Sequence, residues 1–466
     1  MRDHFYAVIE SMPARSSLKS NSVLVPCNIV SQMSRPAKAK IKFGLKEKAV
    51  NLIPDQNSKK VRLPKELAKD LNIFDGMDVC VKYKNDTLIL GPLVGILIND
   101  SAFQRLCKGK AGNKRMRLMS AAHRSHIFAY FFTADNIIWS DRTVRGTFYK
   151  HDTDSWEVVQ LPLPDILYDR GGGFSRAGSI KALEIRKQLN NFKGLRKVNA
   201  QHYFSKWDLY CRLSKYEDIK KYLPDTMLYE NVSTLKAMLN KHDMVYLKSC
   251  TGSNGREIIR VKKLYDSSYE YDYYKNSVIK IKTDSLRKIA DAARKLMHGR
   301  KFIVQQGIES LSYNGNKVDL RALIQKSYEG EWLVTSLPVR IASGGCPVTS
   351  TKSGSSVYKF EEAFLDVLKF NYKQVEDIRK DIYELLSAVA DAIQKEYGSF
   401  GEMGIDILID NDLKLWFIES NSKPAKDTVL KSGTEEEIMK AYQRPFEYAK
   451  YLSGFYDSIN MENKYE

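Results

Sequence analysis

The sequence predicts an α/β protein of several domains that ends on a two-stranded hairpin rich in oxygen donors. Three observations lead there. From residue 88 onward, continuous apolar and β-branched runs alternate with stretches of helical periodicity, the grammar of a sheet covered by helices. The segment 400–424 (FGEMGIDILIDNDLKLWFIESNSKP) carries two strand patterns about an Asx-rich turn at Asp410-Asn411-Asp412. The length, 466 residues, suffices for about three domains of ~150 residues each.

Composition narrows the class. Apolar residues make up 43% of the chain, as a globular protein with a sizeable core requires. No apolar run approaches the roughly 18–20 residues of a membrane span, and the first residues hold an early acid without a long apolar stretch. Neither a membrane anchor nor a secretory signal is therefore expected. Cys27, Cys80, Cys107, Cys211, Cys250 and Cys346 form no CxxC pair and have no histidine at metal spacing, so free thiols in a reducing cytoplasm are expected. The net charge of +18 gathers in 35–48 (RPAKAKIKFGLKEK) and 105–117 (RLCKGKAGNKRMR). Each is either a solvated surface or an attractor of polyanions such as ATP, nucleic acid or acidic substrates. No zinc-finger spacing, RNP-type motif or basic heptad run supports a specific nucleic-acid module.

Taken in order, residues 1–39 mix Ser, Pro and Lys with short apolar runs and read as a loosely attached arm. Residues 40–91 read as a small β-rich unit, with strands near 40–43, 49–53 and 78–83 around a short helix started by Pro64. That order resembles the swapped-hairpin looped barrel. Residues 92–198 read as an open α/β domain. It begins with the apolar run 88–98, continues through a helix over 101–123, and ends where Pro164-Asp165 and Tyr168-Asp169-Arg170 leave the sheet, a common ligand crevice. Gly171-Gly172-Gly173 is a phosphate nest or a plain turn.

Chemistry concentrates in 199–300 and 301–466. The strand 244–248 places Lys248 ahead of Gly252-Ser253-Asn254-Gly255-Arg256, where glycines let backbone N–H groups close over phosphate oxygens. A plain polar hairpin is the bland alternative. A strand returns after this loop where a Walker A or dinucleotide loop would lead into a helix. A buried-type strand, 301–308, is followed by VDLRALIQK, with Asp319 and Arg321 on one face, and by WLVTSLPVRIASGG, with Arg340 at a strand end. These arginines are counter-ions for nearby acids or clamps for phosphate and carboxylate. The amphipathic helix 372–397 stops at Gly398, and a last helix opens on the capping box Thr434–Glu437. In the hairpin, Glu419 and Asn421 are two apart and share a face, and the turn returns the chain beside Asp406. Two carboxylates and one amide suit Mg²⁺, with Mn²⁺ the alternative, and suit Zn²⁺ poorly. The bland alternative is a hairpin with acids facing solvent, but its flanks are nearly all apolar.

The order of lysine strand, glycine loop, hinge strand, D-x-R strand, arginine strand and Asp…Glu-x-Asn resembles the ATP-grasp superfamily. Within it, FSKW, YLPDT, the 248–256 segment, DLRALIQK and ESNSKP resemble the YheC/YheD family of endospore-coat-associated proteins. The resemblance implies an ATP-grasp fold preceded by the open α/β domain and the small barrel. It implies Mg²⁺ on Asp406, Glu419 and Asn421. ATP phosphates would lie on Lys248 and 252–256, with Lys206 as an earlier nucleotide-contacting lysine. Adenine would lie near Gln305, Gln306 and Ile308, and the ribose near Glu309. Arg321 and Arg340, with Lys248, would hold the γ-phosphate or acyl-phosphate oxygens. The implied activity is ATP-dependent carboxylate–amine ligation on an amino acid, peptide or protein, in the mother-cell cytoplasm or the spore. Coat components and a second copy of the chain are the implied partners, and the rival is a nucleotide-binding coat protein without turnover. The chain departs from related ligases at Thr349-Ser350, at Gly354-Ser355 and at Gly404, where arginine is common.

Overall fold

The computed structural model describes residues 5–12, 19–30, 37–252, 258–274, 278–297, 299–343, 349 and 354–455. They form two compact units, one from 1–199, 326–331 and 442–466, the other from 200–325 and 332–441.

The first unit opens with a closed seven-stranded barrel. Ala37–Phe43 shows why it closes: Ala39, Ile41 and Phe43 point inward while Lys38, Lys40 and Lys42 point out. Those outward lysines, with Lys46 and Lys48, belong to the first basic cluster, and neighbouring residues answer several of them. Lys40 meets Glu47 at 2.7 Å, Lys48 meets Asp70 at 3.0 Å, and Lys46 donates to Asn72 at 2.6 Å. The arm expected over 1–39 is corrected here. Phe5–Met12 and Ser22–Pro26 are barrel strands, the first paired with both Val61–Pro64 and Asp78–Lys84. Their inward residues Ala7, Ile9, Val23 and Val25 are interleaved with the apolar or aromatic Tyr6, Val8 and Leu24, which hides the alternation.

The apolar run 88–98 is two strands, because Pro92 has no N–H for a ladder. Thr87–Gly91 closes the barrel and Leu93–Leu97 starts the next sheet. There Leu93–Leu97 pairs in parallel with Phe128–Phe132 and with Ile166–Asp169. The helix expected over 101–123 is likewise two, Asp100–Cys107 and Asn113–Arg124, parted by a turn in which Gly109 takes φ +69°. The expected crevice residues are engaged internally. Asp165 is buried, accepts from Leu93 N at 3.1 Å and faces Lys42 at 3.5 Å, while Arg186 grips Asp169 at 2.7 and 3.2 Å.

The second unit holds two sheets. One runs Thr226–Tyr229, Phe302–Gln306, Met244–Ser249, Ile258–Lys263, Tyr269–Tyr274, Val278–Thr283. The other runs Ser356–Tyr358, Val339–Ile341, Asn316–Lys326, Glu402–Ile409, Leu415–Asn421. Helix Tyr372–Tyr397 starts at an Asn371–Gln374 capping box and stops at Gly398, whose φ of +95° suits glycine. Its Ile378, Ile382, Leu385, Val389 and Ile393 lie in one core with the second sheet. Helix Glu435–Ser453 is divided: residues from Tyr442 onward count with the first unit, where Phe446 meets Tyr168 edge to face.

Cys27, Cys80, Cys107, Cys211 and Cys250 are free thiols; Cys346 lies outside the described residues. Among the described residues, no helix is long and apolar enough to cross a membrane.

Candidate functional site

The site sits on one face of the second sheet. Asp406 and Glu419 lie opposite each other on Glu402–Ile409 and Leu415–Asn421, with Asn421 opposite Gly404. On the other side Arg321 stands opposite Asp406, and Arg340 opposite Asp319. The strand register therefore sets acids and cations in one row before any side chain chooses a rotamer.

The contacts follow that row. Arg321 Nη2 donates to Asp406 Oδ2 at 2.8 Å, and its Nε is pressed against Oδ1. Arg340 grips Asp319 through two bonds of 2.7 and 2.6 Å and reaches Asp406 at 3.4 Å; Thr349 also donates to Asp319. Lys206, the first residue of helix Lys206–Leu213, is brought in because its backbone N–H donates to Cys250 O at 2.9 Å. Its Nζ meets Glu419 Oε2 at 2.5 Å, and Asn421 Nδ2 donates to Glu419 Oε1 at 3.1 Å. Lys248 Nζ donates to Gln305 Oε1 at 2.7 Å and lies 5.1 Å from the Tyr246 ring, which Lys317 also approaches at 5.4 Å.

These groups titrate far from their ordinary ranges, and the causes differ. Burial pushes Asp406 up against the pull of Arg321 and Arg340. Burial also opposes the charge on Glu419, but Lys206 and Arg321 outweigh it and hold that carboxylate well below its usual range. Lys248 keeps part of its surface open in a cleft that strips most of its hydration. That burial, with Lys317 and Lys206 adding like charge, lowers it to about 7. Arg340 is held more firmly charged, because Asp319 and Asp406 outweigh its burial.

Beside the carboxylates lies an apolar floor, of which sequence reasoning had named only Ile308. Leu408 and Trp416 face each other one step along the hairpin from Asp406 and pack with Ile308 and Ile418. Trp416 is pinned by its Nε1, which donates to Asp410 Oδ2 at 2.8 Å. The signal was present as LWFI and the alternation of Asp406 with Leu408, but it reads equally as core.

The expected residues fall into three groups. Asp406, Glu419, Asn421, Arg321, Arg340 and Lys206 meet directly, and Lys248 couples to them electrostatically. The second group lies around the hinge. Gln305 turns its side chain to Lys248, Gln306 Oε1 accepts from Asp225 N at 3.1 Å, and Glu309 is exposed. Gly252 is half-buried after Ser249, while Ser253, Asn254, Gly255 and Arg256 lie outside the described residues, as does Ser350.

The donor set can be tested against a divalent cation. Among the described residues there is no group of three or more His, Cys, Asp or Glu side chains placed to hold a metal. Two carboxylates and an amide oxygen are what this site offers, so phosphate oxygens or water must complete a shell, as Mg²⁺ accepts. Asp406 Oδ1 and Arg321 Nε are both buried and touch without hydrogen-bond alignment, leaving that oxygen's pairing incomplete. The donors fit.

Two sheets flanking a row of buried acids and cations, with a lysine strand facing it, define the ATP-grasp class. The sequence model described as YheC/D-like ATP-grasp matches residues 194–452, more than half the chain. The chain belongs to the YheC/D-like ATP-grasp family. It is 26% identical over 376 residues to endospore coat-associated protein YheD of Bacillus subtilis, covering 79% of this chain and 80% of that one. It is 23% identical over 321 residues to YheC of the same organism, covering 69% and 87%. D-alanyl-alanine synthetase A from Vibrio cholerae, a solved structure, is 11% identical with a TM-score of 0.45 over 76% of this chain and 98% of that one.

Proposed function

We propose that the protein is an ATP-dependent carboxylate–amine ligase whose nucleotide lies across Lys248, the Ile308–Leu408–Trp416 floor and the Asp406–Glu419 pair. One observation carries this reading. Among the described residues, Lys206, Lys317, Arg321, Arg340 and a partly charged Lys248 crowd around three acids, Asp319, Asp406 and Glu419, so the cluster is short of negative charge by more than one. A triphosphate supplies that charge, and the adjoining apolar floor suits a base.

Asp406, Glu419 and Asn421 would hold Mg²⁺, which would supply positive charge against the phosphates. Lys206 and Arg321, bound to the acids here, would turn to the phosphates in the loaded site. Lys248 would hold the phosphates from the opposite sheet, as the segment 252–256 would from the loop. Arg321 and Arg340 would steady the terminal phosphoryl group while a substrate carboxylate attacks it. That step gives an acyl phosphate and ADP. An amine then displaces phosphate and forms an amide. The substrate class proposed is an amino acid, peptide or protein, and the names of the two Bacillus subtilis relatives support a spore association.

The test is an ADP-release screen over amino acids and peptides, each with and without an amine acceptor. ADP and phosphate released only when both substrates are present supports ligation. Nucleotide binding without acceptor-dependent release supports a nucleotide-binding coat protein, and no nucleotide binding sinks both.

A further inference from the structure

Lys248 is held by a chain of hydrogen bonds that reads in one direction only. Its Nζ donates to Gln305 Oε1 at 2.7 Å, and Gln305 Nε2 donates to Thr226 Oγ1 at 3.0 Å. Thr226 Oγ1 donates in turn to the carbonyl of Pro224 at 2.8 Å. A hydroxyl has one proton. Having given it to Pro224, Thr226 meets Gln305 only as an acceptor, so only the NH₂ end of the amide can face it. The amide oxygen is left for the ammonium. The flipped amide would set donor against donor at Lys248 and acceptor against acceptor at Thr226. Thr226 and Gln305 stand opposite in register and are 4% and 6% exposed, so little water is at hand to repair a wrong choice.

We propose that Thr226 is a positioning residue for the nucleotide site: it fixes the polarity of the Gln305 amide and, through it, holds the Lys248 ammonium where the phosphates arrive. This rests on the nucleotide reading above and assigns Thr226 no nucleotide contact of its own. The charged groups around Lys248 pull both ways, Lys317 and Lys206 against its proton, Glu419 and Asp406 for it. Gln305 Oε1 accepts directly from the Lys248 ammonium, and a hydrogen bond to the charged form favours that form in a group whose pKa is lowered to about 7.

Two measurements on the full chain decide it, using Thr226→Val and Thr226→Ser. Competitive acetylation of Lys248 against pH, read by mass spectrometry without nucleotide, should show its apparent pKa falling by about one unit in Thr226→Val. Thr226→Ser keeps the hydroxyl and should titrate like the parent. Mg·ATP affinity by calorimetry should fall about tenfold at pH 8 in Thr226→Val and far less at pH 6, with Thr226→Ser unchanged. An unshifted Lys248 overturns the proposal. So does an equal affinity loss at both pH values, or serine as damaging as valine. If the parent binds no ATP while the acetylation shift appears, the nucleotide reading fails and the hold on Lys248 stands. Should Thr226→Val not fold, Gln305→Met removes the same acceptor and must produce the same fall in Lys248.

Discussion

Glu402 and Asp406 share a face of the same strand, four residues apart, and are used in opposite ways. Glu402 is wholly buried, bound by Lys426 at 2.7 Å and by Gln325 at 3.1 Å, and Gln325 is itself fixed by Thr335 and the Ala441 carbonyl. Every charge there has its answer. Around Asp406 and Glu419 the cations outnumber the acids, and Glu419 keeps 25% of its side chain exposed. Burying charge does not by itself make a site; leaving it unbalanced on an open side does.

Four experiments break or sharpen that contrast. The largest effect belongs to the closed pair. Lys426→Met strands Glu402 and should cost about 3–5 kcal/mol in chemical denaturation. Adding Glu402→Gln should recover much of it, and a cost below about 1 kcal/mol would erase the distinction drawn here. Next, Glu419→Gln should weaken Mg·ATP binding on the order of a hundredfold. Its denaturation midpoint should move less than that of Lys426→Met, because water reaches Glu419.

The third uses pH. Lys248 loses its proton near 7 when folded and near 10.5 when unfolded, so the folded state binds fewer protons between those values. Its charge therefore destabilises the fold below about pH 7, and that penalty fades as pH rises toward 10.5. Lys248→Met should thus melt above the parent at pH 6, with the gap narrowing from pH 7 upward. A gap that is constant across this range would show that Lys248 is not strained by burial. The smallest effect is expected at the apolar floor, where Ile308→Ala should weaken nucleotide binding about threefold to tenfold and leave the pH profile alone.

Much of this was legible in the sequence because strand periodicity is short and local. Asp406, Glu419 and Asn421 could be gathered from a turn signal and a period of two, and the arginines from D-x-R on a neighbouring strand. The barrel was half legible, because Lys-rich alternation marks Ala37–Phe43 clearly while Phe5–Met12 carries Tyr6 and Val8 on its outward side, which blurs the two faces. What could not be read was which partner each polar group chooses. Gln305 looked like a hinge residue and proves to be the acceptor for Lys248, a choice set by Thr226 about eighty residues away. The first basic cluster read as an exposed run of charge, and its partners Glu47, Asp70 and Asp165 could not be picked out by spacing.

The hairpin register slips between Asp406 and Ile407: Ile407 pairs with Phe417, yet Asp406 pairs with Glu419, leaving Ile418 as an extra residue. Count back from the tip without that slip and Asp406 would meet Ile418, throwing Glu419 to the opposite side. The slip is thus what lets a strand carrying this extra isoleucine keep its donor set on one side. An engineer could rebuild the tip at will, but straightening the ladder with Ile418 still in place should part the two acids without touching either, whereas removing Ile418 together with the slip should leave them opposite.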